Sequence, residues 1–217
     1  MQRAEPPVVL ARGPWRAEQV VVRWHPEPFA PPVERERAAD EAIAALRERG
    51  SPSQDGMGAR LHAFRVDGER LELELEPLRW ALRLVPGNAS GSLSALCVVR
   101  AGDGRWLAGR RAPWLSTWAG RWALGAGGAV DVGESPVRTL VRELDEEWSV
   151  APERLSVEAL LRLPHELVLL VGLAWLAAKV EVAIEHEHDA YAWWPADVDA
   201  WPPEADEDLR ILARTLS

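Results

Sequence analysis

The chain has 217 residues, 47% of them apolar and 27% charged, which is enough to bury a sizeable core and excludes wholesale disorder. Lys and Arg number 25 against 34 Asp and Glu, and the net charge of −9 excludes a basic footprint for a nucleic-acid backbone. One cysteine, Cys97, excludes an internal disulfide and a cysteine-based zinc site, and its Val-rich neighbours point to a buried structural thiol. Met1 to Leu10 carries Glu5 and Pro6-Pro7 instead of a basic start and an apolar run. The longest apolar stretch, Leu167 to Ala178, is too short to span a membrane as a helix. The expectation is a cytoplasmic protein with neither a membrane nor a nucleic acid as partner.

In chain order, Gln19 to Trp24 is a strand candidate broken by His25-Pro26 and the prolines that follow. Glu34 to Arg49 reads as an amphipathic helix stopped by Gly50, and Ser51 to Gly58 as a loop. Leu61 to Val66 and Leu71 to Leu75 alternate around Asp67-Gly68, a hairpin signal. Pro86-Gly87-Asn88 marks a boundary, dividing the chain into a small α+β extension, residues 1–88, and a larger domain, residues 89–217. In the larger domain, Leu93 to Val99 and Arg105 to Arg110 pair around Gly102-Asp103-Gly104, and a turn-rich segment runs from Pro113 to Gly128. A helix follows, with Ser135 placed to cap it, Pro136 in its first turn, and an apolar stripe at Val137, Leu140, Val141, Leu144 and Trp148. Leu155 to Leu163, a stretch from Leu167 to Val182 interrupted near Gly172, and Tyr191 to Trp194 read as strands, and Asp206 to Leu216 as a closing helix. Strands on both sides of a central helix predict an α/β fold with a mixed sheet covered by helices.

The chemistry lies opposite the apolar stripe. Glu143, Glu146 and Glu147 are three and four residues apart, so their carboxylates leave one helical face about a turn from one another. Like charges this close call for full solvation or for cations between them, and oxygen ligands with room for water suit Mg²⁺ or Mn²⁺. Arg142 is placed to pair with Glu146, and Glu134 to reach Arg142. Gly125, Gly127 and Gly128 let the preceding backbone approach the carboxylates, where a carbonyl adds a neutral ligand.

Gly128, then Glu134 after five residues, then Arg142-Glu143-Leu144-Asp145-Glu146-Glu147-Trp148-Ser149-Val150 after seven, resembles the Nudix box, G-x5-E-x7-R-E-U-x-E-E-x-G-U, with U a bulky aliphatic residue. Ser149 stands where that family has glycine. Keeping a left-handed backbone at a serine there costs ~1 kcal/mol and removes no ligand. The resemblance implies a Nudix fold over residues 89–217 and hydrolysis of a nucleoside diphosphate linked to another moiety. It makes Glu143, Glu146, Glu147 and the Gly127 carbonyl the metal ligands, with Gly128 and Glu134 as structural parts of the box and Arg142 beside the catalytic pair Glu146 and Glu147. The base is Glu146, Glu147, or a member of the downstream loop Glu185, Glu187 and Asp189.

Arg110 and Arg111 end a strand leading toward this site and are candidates to clamp phosphate, or else a surface pair. Arg121 is a lesser candidate, and His165-Glu166 reads as an exposed turn. Twelve tryptophans stand against two Phe and one Tyr, and among Trp114, Trp118 and Trp122 we single out Trp118 for stacking on a base. The order of elements in residues 1–88 loosely resembles the extension of the UDP-glucose-hydrolysing Nudix branch, which makes a nucleotide sugar the leading substrate. The alternatives are ADP-ribose, NADH or oxidised nucleoside triphosphates, or a catalytically silent Nudix module that binds a nucleotide or a protein. A homodimer follows from family habit alone.

Overall fold

The computed structural model describes residues 7–50, 55–115, 118–177 and 180–216. In chain order, the first elements are β1 (Val8–Trp15), β2 (Val20–Trp24), α1 (Val33–Glu48), β3 (Met57–Asp67), β4 (Arg70–Arg79) and a 3₁₀ turn, Trp80–Leu84. They are followed by β5 (Leu93–Arg100), β6 (Trp106–Arg111), β7 (Trp122–Leu124), β8 (Ala126–Ala129), α2 (Pro136–Trp148), β9 (Arg154–Arg162), β10 (Val168–Trp175), β11 (His188–Trp194) and α3 (Glu207–Thr215).

Eight strands form one mixed sheet in the order β1-β9-β10-β5-β6-β11, with β7 against β6 and β8 against β5. Within it, β10 runs parallel to β5, while the remaining pairs are antiparallel. Helices cover both faces. Val137, Leu140, Leu144 and Trp148 of α2 share one core with Cys97 and Leu170. Ala213 and neighbouring residues of α3 share the other with Val98, Leu161 and Val171. The α/β architecture expected from the sequence is therefore present. Burial pushes the Cys97 thiol far above the ordinary thiol range, so it is an inert packing group.

A second sheet, β2-β4-β3, carries the predicted hairpin, with Asp67 opposite Arg70 and Gly68 at φ 58° in the turn. Leu71, Leu73 and Leu75 of β4 alternate into the same core as α2. Leu78, Ala81 and Leu82 pack instead under α1, against Ala39, Ile43 and Leu46. The two sheets also meet through backbone, since Ala59 N–H donates to Val130 O at 2.8 Å and Leu61 N–H to Gly91 O at 3.0 Å.

Several local expectations are corrected. β1, which the sequence analysis does not anticipate, pairs with β9 along the sheet edge, where its Pro14 is tolerated. The turn-rich segment holds β7 and β8. Gly172 lies inside an unbroken β10, because a Cβ there would sit 2.6 Å from Leu140 Cδ1, and only glycine lets α2 approach that closely. Val141 is exposed and leaves the apolar stripe. Ser135 occupies the N-cap of α2 without a side-chain capping bond. Asp206 does cap α3, accepting from Leu209 N–H at 3.1 Å. No helix among the described residues is long and apolar enough to cross a membrane.

Helix α2 exits through Ser149 at φ 53°, ψ 42°, with Ser149 N–H on Asp145 O. The left-handed exit survives without glycine, so Ser149→Gly removes a Cβ penalty of about 1 kcal/mol. We expect that variant to melt about 2–4 °C higher with unchanged turnover, which a thermal melt and a rate assay check.

Candidate active site

The three carboxylates of α2 are not equivalent. Glu146 is exposed, whereas Glu143 and Glu147 are buried, so the expectation that all three stand together on the polar side of the helix is corrected. Glu143 fits because β8 carries a glycine where it passes. A Cβ on Gly128 would lie 2.1 Å from Glu143 Oε1. Gly127 N–H donates to Glu147 Oε1 at 2.8 Å. A strand residue's N–H and C=O leave on the same edge, so the Gly127 carbonyl also leaves β8 on the side turned to the helix.

Burial pushes the Glu143 carboxyl up to about 7, with Arg142 opposing the rise and Glu146 and Glu187 adding to it. Burial raises Glu147 well above the carboxylate range, opposed by the Gly127 N–H and reinforced by Glu187 and Glu143. Glu147 Oε2 has no hydrogen-bond partner among the described residues. Two buried carboxyls, one with an orphaned oxygen, beside a free strand edge suit a divalent cation held by oxygen.

Arg142 spans the cluster. Its guanidinium lies 2.8 Å from Glu143, 2.9 Å from Glu146 and 3.3 Å from Glu134. Burial raises the Glu134 carboxyl, but bonds from Arg142 and from Thr139 Oγ1 overcome this and hold it low. Glu134 is thus an ionised anchor, and Arg142, shared among three acids, is held firmly protonated against its own burial.

A cleft of about 490 Å³ opens beside the cluster. Arg111 lines it and lies 3.5 Å from Glu187, which lines it too. Arg110, one residue earlier on β6, is exposed and bonds Asp189 at 2.7 Å, outside the cleft. Adjacent strand residues face opposite ways, so only one of this pair can enter. Trp114 and Trp118 line the wall, while Trp122 packs on Trp194 and Arg121 pairs with Asp206. The loop before β11 is tied to the end of α2 by Glu185 N–H on Glu147 O and Ala183 N–H on Trp148 O.

The sequence reading missed His188 and Arg83 and took His165 for an exposed turn residue. His188 is buried, stacked on Trp148 at 4.4 Å, with Nδ1 3.6 Å from Glu147 Oε2. Burial and then Arg111 push its imidazole down to about 4, so it is neutral near pH 7. Gly109 makes its slot, since a Cβ there would meet His188 Cδ2 at 2.4 Å. Arg83, from the 3₁₀ turn of the extension, and His165 both line the cleft. No short-range signal announces either, because the residues around them are distant in sequence.

With Glu143 and Glu147 raised above the unfolded value near 4.5, the folded chain holds more protons than the unfolded chain from there to about pH 7. Stability in EDTA therefore falls as pH rises from 5 to 8. Thermal melts across that range check this, and Glu143→Gln is expected to flatten the slope.

A family model described as NUDIX domain matches residues 92–215. No curated protein matches. Among solved structures, a MutT protein from Methanosarcina mazei Go1 is 23% identical with a TM-score of 0.44, over 57% of this chain and 90% of that one. The ADP-ribose complex of the NUDIX domain of Shewanella oneidensis NrtR is 21% identical with a TM-score of 0.44, over 58% and 85%. A C. elegans Ap4A hydrolase is 21% identical with a TM-score of 0.45, over 58% and 94%. These likenesses fall below 25% identity and a TM-score of 0.5, so membership rests on the family model, which spans more than half of the chain and encloses the glutamate helix. The chain belongs to the NUDIX domain family of hydrolases.

Proposed function

We propose that this protein is a divalent-metal-dependent pyrophosphatase that cleaves a nucleoside diphosphate linked to another moiety, with a nucleotide sugar such as UDP-glucose as its leading substrate. The observation that carries the reading is the burial of Glu143 and Glu147 against the glycines of β8, with Glu147 Oε2 unpartnered, in the lining of the cleft. In this reading Glu143, Glu146, Glu147 and the Gly127 carbonyl hold Mg²⁺ or Mn²⁺. When bound, such ions neutralise diphosphate oxygens and acidify a water for in-line attack on phosphorus.

The remaining work falls to the chain itself. Arg142, anchored by Glu134, fixes the spacing of Glu143 and Glu146. His188 wedges against Glu147 and keeps water from that side of the carboxyl. Arg111 binds a phosphoryl oxygen, and Trp118 stacks on the base. Asp189 is engaged by Arg110, so the base is Glu146, Glu147 or Glu187, the loop acid that faces the cleft. Residues 1–88 act as an extension that completes the pocket of residues 89–217, consistent with Trp80 and Arg83 lining it.

Incubation with Mg²⁺ and UDP-glucose, ADP-ribose, NADH or a nucleoside triphosphate, read by phosphorus NMR, tests this. Production of UMP with glucose 1-phosphate supports the leading substrate, and turnover of another compound reassigns it. Glu147→Gln is expected to lower kcat roughly a hundredfold or more while circular dichroism stays that of the parent. Unchanged rates in that variant, or no magnesium or manganese uptake by calorimetry, overturn the reading.

A further inference from the structure

The 3₁₀ turn Trp80–Leu84 places side chains three apart on one edge, because residues i and i+3 eclipse in this helix. Ala81 and Leu82 face down and are held under α1. Trp80, which also packs on the rim of that cluster, and Arg83 stand three apart, with the Arg83 guanidinium 5.6 Å from the Trp80 ring, and both line the cleft. Arg83 donates to Ser94 Oγ at 3.1 Å and has no acidic partner within ion-pair distance among the described residues.

That is an unusual position for a guanidinium. A cation drawn partly out of water, as Arg83 is, is costly unless an anion faces it. Burial pushes Arg83 down to about 10, Arg111 repels it further, and Glu143 pulls only weakly the other way. It remains charged near neutral pH all the same. His165, across the same chamber, is lowered by its own burial and by the repulsion of Arg83. The lining thus carries two arginines that repel each other and an imidazole, together with Glu187 beside Arg111 and the acids of α2.

We propose that Trp80, Arg83, Ser94 and His165, with Arg111 facing them, form an anion-binding subsite that takes the phosphoryl group of the substrate lying away from the glutamates. The assignment rests on the diphosphate reading given above. The guanidinium fork matches two phosphoryl oxygens, a dianion between Arg83 and Arg111 turns their repulsion into attraction, and Ser94 and a neutral His165 supply hydrogen-bond donors. The extension therefore recognises substrate directly, through one short turn.

The test is calorimetric titration of the metal-free full-length protein in EDTA with inorganic pyrophosphate. The parent protein is expected to bind, Arg83→Ala to bind about ten- to a hundredfold more weakly, and Arg83→Lys to recover part of the loss. Circular dichroism verifies that each variant folds. Should Arg83→Ala not fold, Ser94→Ala, which removes the one hydroxyl holding the guanidinium, is expected to weaken binding several-fold. A folded Arg83→Ala protein with parental affinity overturns the proposal, as does absence of pyrophosphate binding by the parent. The assay uses neither metal nor turnover. Glu146→Gln, expected to be inactive, should bind pyrophosphate in EDTA at least as tightly as the parent, which separates failure of the subsite from failure of the hydrolase reading.

Discussion

Two carboxyls taken out of water beside a glycine strand are the interaction on which the site depends. Glu143 and Glu147 follow the turns of Leu140 and Leu144 into the interior, where the missing Cβ of Gly128 leaves room for Glu143 and the Gly127 amide bonds Glu147. Without a counter-charge this arrangement opposes folding, because both groups resist ionisation there. The sequence retains it while investing heavily in its surroundings: Arg142 on Glu134, the Gly127 amide on Glu147, and His188 sealed between Trp148 and Gly109. A site that is unfavourable to the empty fold and geometrically fixed is what a tightly held cation requires.

The same economy organises the cleft. Its acids come from α2 and from Glu187 before β11, and its basic residues from three separate places: Arg83 before β5, Arg111 at the end of β6, and His165 in the turn before β10. Tryptophan and leucine complete the lining. Under the proposed reading, charges of both signs in one cleft suit a metal-bound diphosphate.

What could be read from the sequence was whatever has a short period. The helix α2, its glutamate spacing, the link from Glu134 through Arg142 to Glu146, and the hairpin at Asp67-Gly68 all arise from neighbours within eight residues. Burial of Glu143 and Glu147 was not legible, because it depends on β8, whose glycines read as a turn until β5 is placed beside them. Arg110 and Arg111, offered together by the sequence, are separated by alternation along β6, and only Arg111 lines the cleft. Arg83 and His188 owe their places to contacts across tens of residues. Gly172 reads locally as a break and is in fact a notch for Leu140.

The pairing of β1 with β9 joins the first strand of the chain to the edge of the main sheet, beyond the β2-β4-β3 layer. A fragment trimmed to begin at residue 89 would keep every box residue yet strip that border, leaving the outer edge of β9 unpaired while its inner edge still holds β10. Bare rims of this kind recruit other copies of themselves, so such a fragment is prone to self-association.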